Sequence, residues 1–295
     1  MSEILRWLAD MVRDVFRTLD WPLFLGLSAL MGIGLAVLYS AGGEAQGTRL
    51  MLAQGARFGV GLLAMWGLSR VSPTRLRAWT PGVFLVSLLP LILVLFIGTG
   101  KHGQHWIDLK LFYLQPSELM KISLPMMMAW YLHREPLPPA IRTVLVAGAL
   151  IALPTGLILL QPDFGTAMLV AASGVFALLL AGLPWWWVGV GVGSVAAAAP
   201  MAWIWLLRPY QKARVMTLFD PESDPLGDGW NIIQSKIAIG GGGMTGKGWG
   251  EGTQSHLNFL PEHTTDFIFA VLSEEFGWIG VAVVLALYLF VVGRC

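Results

Sequence analysis

Apolar residues come in long, unbroken runs along this chain rather than alternating with polar ones. A helix that crosses a membrane needs about 20 mostly apolar residues, and about eight such runs are present. They are Trp21–Ala41, Leu50–Leu68, Trp79–Gly98, Gln115–Leu132, Ile141–Leu160, Phe164–Gly182, Trp185–Leu207 and Asp266–Val292. Ahead of the first, Leu5, Leu8, Val12, Val15 and Leu19 recur at helical spacing, with charges on the other face. That pattern predicts an amphipathic helix lying in the membrane interface over residues 1–20. The rest, 21–295, reads as a single all-α polytopic membrane domain.

The polar positions between the runs set an orientation. Arg6, Arg13 and Arg17 precede the first run, Arg70, Arg75 and Arg77 follow the second, and Arg134 and Arg142 flank the connection after the fourth. Lysine and arginine collect in cytoplasmic loops, so these connections are predicted inside and the N-terminus with them. The long polar segment at about 208–266 then falls outside. It carries Arg208, Lys212, Arg214, Asp220, Glu222, Asp224 and Asp228, yet also Ile232, Ile233, Ile237 and Ile239. So many apolar residues predict a short packed helix over Trp230–Ile239. Long connections of this kind are commonly functional.

Composition agrees with a bilayer. Of 295 residues, 56% are hydrophobic and 13% charged, where a soluble domain carries about a quarter charged. The net charge of +1 gives no basic field for nucleic acid. The single cysteine, Cys295, excludes an intrachain disulfide and a cysteine-based metal site.

Within the long segment, "GGGGMTGKGWG" over 240–250 nearly spells a nucleotide-phosphate loop. That loop follows a strand, opens a helix and has Ser or Thr after its lysine. Here Gly248 follows Lys247, no strand is predicted before it, and it faces outside. A nucleotide cofactor is therefore not expected.

Ionisable residues in or beside membrane helices are expensive unless paired or hydrated, so each is a candidate for function. In "QPSELMK", Glu118 and Lys121 are three apart on one helical face; they either pair locally or offer Lys121 to an anionic substrate group. In "QPDFGTA", Asp163 either caps the next helix or points a carboxylate into an outer cavity. "GQHWIDL" adds His105, Trp106 and Asp108, with Trp106 placed as an interfacial anchor or a substrate contact. In "LPEHTTDFIFAVLSEE", Thr264 or Thr265 is expected to cap the last helix. Asp266 then sits in its first turn, where the dipole favours negative charge. Glu262 and His263 lie just before, and Glu274 is expected on the same face as Asp266, with Glu275 beside it.

Taken together, "QPSELMK", "QPDFGTA", the segment from "RPYQKARVMTLFDPESDPLGDGWNIIQSK" through the glycine run, and "GTQSHLNFLPEHTTDFIFAVLSEEFGWIG" resemble the SEDS family of membrane proteins, in its elongation-type branch. The resemblance runs from about Trp21 to the end. It implies a SEDS-type helix bundle and a peptidoglycan glycosyltransferase that polymerises lipid II, releasing undecaprenyl pyrophosphate. The implied partners are a class B penicillin-binding protein and the rod-shape elongation machinery. The family's essential acid in "TDF" falls on Asp266. Its "QPSE..K" motif falls on Gln115, Pro116, Ser117, Glu118 and Lys121, and its "QPD.GT" motif on Gln161, Pro162, Asp163, Gly165 and Thr166. Two departures stand out: His105 replaces an arginine common in relatives, and the chain stops after about eight helices where relatives usually have ten. A C-terminal truncation is the expectation.

The implied chemistry inverts an α-linked pyrophosphate to a β-linkage. It needs a base for the attacking hydroxyl, for which Asp266 is the candidate. It also needs positive charge on the departing pyrophosphate. Lys121, Arg208, Lys212, Arg214 and Lys247 are the candidate cations, with Glu118, Trp106, Asp163 and Glu262 as further substrate contacts. A divalent cation, magnesium or manganese, held in part by Asp163 and Asp266, is a candidate cofactor. The glycine N–H groups are a candidate cradle for the lipid pyrophosphate. Two rival functions fit the same residues: a lipid II flippase or transporter, and a non-catalytic scaffold for a penicillin-binding protein.

Overall fold

Helices account for nearly all regular structure in the computed structural model of the chain. It describes residues 19–99, 105–110, 113–161, 163–206, 209–223, 225, 227–256 and 263–295. The expected interfacial helix, Arg208 and Glu262 lie outside these residues, as does the side chain of Arg214. Among the described residues, five helices are long and apolar enough to cross a membrane: Trp21–Gly43, Pro73–Ile97, Ile141–Leu159, Trp185–Trp205 and Ile268–Arg294. Phe164–Leu180 is apolar but shorter. The other two expected runs are helical as well, and each carries charge: Arg57 in one, Glu118 and Lys121 in the other.

The chain divides into two compact units. The first joins Met1–Trp66 to Leu207–Cys295. Its opening helix α1 (Trp21–Ser69) is broken at Gly43, which has φ 60°. A Cβ on Gly42 would stand 2.7 Å from the Gly47 Cα, and one on Gly47 would overlap the Tyr39 carbonyl. Eight residues of straight helix span ~12 Å, so the chain folds back sharply here. Only glycines allow that approach.

Unit two, Gly67–Leu206, contains α2 (Pro73–Ile97), the short strands β1 (Ile107–Asp108) and β2 (Tyr113–Leu114), α3 (Pro116–Leu132), α4 (Ile141–Leu159), α5 (Phe164–Leu180) and α6 (Trp185–Met201). Its core is built by Phe84, Leu91, Met120, Leu124, Ile151 and Val170 with their neighbours. Gly174 on α5 lets α4 approach, since a Cβ there would stand 2.5 Å from Ile151 Cγ1. Small residues at helix contacts serve this purpose in membranes. The connection read as a loop around His105 is instead a small antiparallel ladder, with Ile107 opposite Leu114 and Asp108 opposite Tyr113. Lys110 turns it with φ 66°, and its N–H donates to Asp108 Oδ1 at 2.7 Å.

The first unit continues with α7 (Pro209–Phe219), α8 (Asp228–Gly241), α9 (Thr253–His256) and α10 (Ile268–Arg294). The short helix expected at Trp230–Ile239 is thus present and slightly longer, and α7 is a helix the sequence reading missed. Ala238 on α8 is buried with Ala270 and packs on Phe267, which seats α8 against the start of α10. Val37 and Ala41 of α1 share a cluster with Val271, Leu272 and Val284 of α10. Arg294 Nε donates to Asp20 Oδ2 at 2.9 Å. The start of α1 and the end of α10 therefore lie together, and the two run antiparallel.

Candidate active site

Helix α10 breaks at Gly277, where the backbone has φ 62° and ψ −162°, a conformation open to a residue without Cβ. An unbroken helix would bond Trp278 N–H to the Glu274 carbonyl and Ile279 N–H to that of Glu275. The break frees all four groups, and each one unsatisfied in hydrocarbon costs several kcal/mol. The glycine run takes every one. Lys247 N–H donates to the Glu274 carbonyl at 2.9 Å and Gly248 N–H to that of Glu275 at 3.0 Å. Trp278 and Ile279 N–H groups donate to the carbonyls of Gly243 and Met244 at 2.9 and 3.2 Å. Two lost helical bonds are replaced by four across the junction.

Glycine is required here by space. A Cβ on Gly242 would overlap the Ser273 carbonyl, and one on Gly246, which has φ 81°, would overlap that of Glu275. The run is therefore a strip for backbone-to-backbone docking. It follows a helix rather than a strand, and Gly246 N–H is also committed, to the Gly242 carbonyl at 2.8 Å. The expected phosphate cradle is corrected accordingly, because the amides of residues 246–248 are all spent inside the protein.

The two acids beside the break are buried: Glu274 at 0% and Glu275 at 1% exposure. Lys247 Nζ lies 2.6 Å from Glu274 Oε1 and donates to Thr253 Oγ1 at 2.8 Å. The same carboxylate oxygen accepts from Thr253 N–H at 2.9 Å, Thr253 Oγ1 at 3.0 Å and Gln254 N–H at 3.2 Å. Its second oxygen also accepts from Gln254 N–H, at 3.2 Å. A buried carboxylate is tolerable only when paired and hydrogen-bonded in this way. Glu275 accepts from the buried Ser40 hydroxyl of α1. Trp249 closes the same region, stacked on Tyr39 at 5.8 Å with its Nε1 donating to the Ala36 carbonyl at 3.3 Å.

Asp266 is exposed and lies in the turn before α10, which begins at Ile268 with Phe267 as its cap residue. The cap position falls on Phe267 rather than on Thr264 or Thr265, and Asp266, exposed and outside the helix, shares no helical face with the buried Glu274. The turn is held from elsewhere in the chain: His263 Nε2 lies 3.1 Å from the Ala41 carbonyl, and α8 packs on Phe267.

In the second unit, Asp163 caps α5, its Oδ1 accepting from Thr166 N–H at 3.1 Å. Its Oδ2 accepts from Gln115 Nε2 at 3.4 Å, which ties the two Gln-Pro motifs together. Gln161, 2% exposed, reaches the Leu91 carbonyl at 3.3 Å. Lys121 Nζ lies 2.6 Å from Glu118 Oε1, with both side chains partly exposed. Trp106 is 40% exposed and pairs through its backbone with Thr99. Lys212 and Arg214 both lie on α7. Among the described residues no three His, Cys, Asp or Glu side chains converge as a cation site.

Ser40, Thr253, Gln254 and Gly277 were not singled out from sequence. The available signal was Gly277 itself, a glycine two residues past the adjacent acids Glu274 and Glu275 in an otherwise apolar run.

An all-α, multi-pass membrane protein with broken helices and a polar segment docked on its last helix is the class these features define. Residues 18–295 match the model of the FtsW/RodA/SpoVE family, described as cell cycle proteins, and the chain belongs to that family. It is 45% identical over 277 residues to peptidoglycan glycosyltransferase MrdB of Escherichia coli K12, covering 94% of this chain and 74% of that one. Among solved structures it is similar to a chain of a peptidoglycan synthase complex that coordinates polymerization and crosslinking, with TM-score 0.78 and 33% identity over 94% of this chain and 77% of that one. It is also similar to the rod shape determining protein RodA of Thermus thermophilus, with TM-score 0.66 and 26% identity over 94% of this chain and 74% of that one. The SEDS-type fold expected from the sequence is the fold found.

Proposed function

We propose that the chain is a peptidoglycan glycosyltransferase that polymerises lipid II at the outer face of the cytoplasmic membrane during cell elongation. The observation that carries this is the exposed Asp266 at the head of α10, in a chain 45% identical to a named peptidoglycan glycosyltransferase. Asp266 takes the proton from the attacking sugar 4-hydroxyl as its oxygen bonds to the anomeric carbon of the donor. The bond from that carbon to undecaprenyl pyrophosphate breaks, with inversion. The leaving pyrophosphate is a good leaving group and needs positive charge more than a proton. Lys121, Arg208, Lys212 and Arg214 are the candidate cations that the sequence offers for it, and Glu118, Trp106, Asp163 and Glu262 are its candidate substrate contacts. Lys247 is outside this set, its ammonium being committed to Glu274 and Thr253.

The orientation is a cytoplasmic N-terminus with the 208–266 segment outside. It is supported by the arginines between the apolar runs and by the antiparallel α1 and α10, whose far ends meet at Asp20 and Arg294. A class B penicillin-binding protein is the proposed partner, supported by the likeness to a peptidoglycan synthase complex.

The test is lipid II polymerisation by the purified full chain in detergent, where no membrane needs crossing and transport alone yields no polymer. Asp266→Ala is expected to lower the rate by about 100-fold or more while leaving the protein folded. Polymer made at the wild-type rate by Asp266→Ala would sink the base assignment.

A further inference from the structure

We propose that Glu274 is a positioning residue for the transfer: by binding Lys247, Thr253 and Gln254 together it fixes the long polar segment against the helix that Asp266 heads. The inference rests on the reading of Asp266 as base, though its structural half does not.

Glu274 is fully buried and far too enclosed to meet a lipid-linked sugar, so its charge is spent on the protein. One carboxylate oxygen gathers the Lys247 ammonium, the Thr253 N–H and hydroxyl and the Gln254 N–H. A carboxylate accepting several N–H bonds is a rigid joint, since each bond constrains a different atom of the same loop. The joint sits on the limb of α10 that Asp266 precedes, less than two helical turns past its first residue, Ile268, and before the break at Gly277. Besides the Glu274 joint, the polar segment meets that limb where Ala238 of α8 packs with Ala270 and Phe267. The four backbone bonds around Gly277 supply the floor beneath it.

The geometry separates two reasons for keeping Glu274. If its only service were to neutralise Lys247, any arrangement with opposite charges would do. If it positions the segment, the acceptor oxygens matter as well, because Thr253 and Gln254 present N–H donors to it. A lysine at 274 has nothing to accept them with.

The experiment uses the full chain in detergent, with lipid II polymerisation for kcat and KM, and hydrogen exchange for peptides spanning Trp249–His256. Thr253→Ala leaves the buried ion pair intact and is the variant safest to fold. It is expected to speed exchange there and lower kcat severalfold, with KM changed less than about threefold. Glu274→Gln is expected to lower kcat by about tenfold to 100-fold, the range a misplacement of about 1 Å produces. Lys247→Arg is expected to retain most of the activity that Lys247→Met loses. The double variant K247E/E274K is expected to stay inactive. Wild-type exchange and kcat in Thr253→Ala would overturn the proposal, as would restored turnover in the charge-swapped double variant. Should Asp266→Ala remain active while Thr253→Ala shows both faster exchange and lower kcat, the base assignment falls and the positioning role stands.

Discussion

Gly277 and Gly246 meet backbone to backbone: a Cβ on Gly277 would overlap the Gly246 amide nitrogen and stand 2.7 Å from the Met244 carbonyl oxygen. Both residues also have positive φ, 62° and 81°. Gly246→Ala therefore adds left-handed strain of about 1–2 kcal/mol to overpacking of about 1–3 kcal/mol. The expected loss is roughly 2–5 kcal/mol, read as a lower midpoint of thermal unfolding in detergent. Gly240→Ala in the same run is the control, since a Cβ there meets nothing within 4 Å. Equal stability of the two variants would mean that the run does not dock on α10.

Lys121 and Glu118 form a partly exposed ion pair, and such pairs contribute about 1 kcal/mol or less. Lys121→Ala is expected to leave the unfolding midpoint nearly unchanged. A charge-assisted bond to pyrophosphate is worth about 1.5–3 kcal/mol. Its loss should lower kcat/KM for lipid II by about 10- to 100-fold. Unchanged kcat/KM in the folded variant would reduce this pair to a local contact.

Asp163 accepts from the Thr166 amide at the start of α5. Removing such a cap costs about 0.5–2 kcal/mol. Asp163→Ala should lower the thermal midpoint by a corresponding amount, and Asp163→Ser should recover most of it. A serine variant as unstable as the alanine variant would show that capping is not what the carboxylate contributes.

Asp20 is held below its ordinary value of 3.8 by the backbone N–H of Leu23 and then by the Arg294 guanidinium. A depressed carboxylate stabilises the folded state above its unfolded pKa, and that contribution is lost as pH falls through the folded value. The unfolding midpoint of the wild-type chain should therefore drop as pH is lowered from about 5 towards 3. Asp20→Asn should start lower at neutral pH and lose less over the same window. Parallel pH profiles for the two proteins would remove Asp20 from this transition.

The apolar runs determined most of the fold. A bilayer forces each such run into a helix because no water is present to bond a bare backbone. Each of the eight expected runs holds a helix among the described residues, and Trp230–Ile239 was legible as a packed helix from its isoleucines. Asp163 and the Glu118–Lys121 pair were legible too, as one of two open choices each, since capping and i,i+3 pairing are local. Non-local partnerships were not legible. Asp266 precedes α10 rather than joining its first turn, because Phe267 packs on α8 and the helix begins only after it.

By itself, then, the sequence determined an all-α membrane protein, because run length and local spacing depend only on neighbours along the chain, and the resemblance of its motifs added the SEDS type. Tertiary structure alone decided what the glycine run and the paired acids do. A glycine states that a close approach or a positive φ is possible, without saying what approaches. Only when α10 breaks at Gly277 do the Glu274 and Glu275 carbonyls need donors, and only the fold brings Lys247 and Gly248 there to supply them.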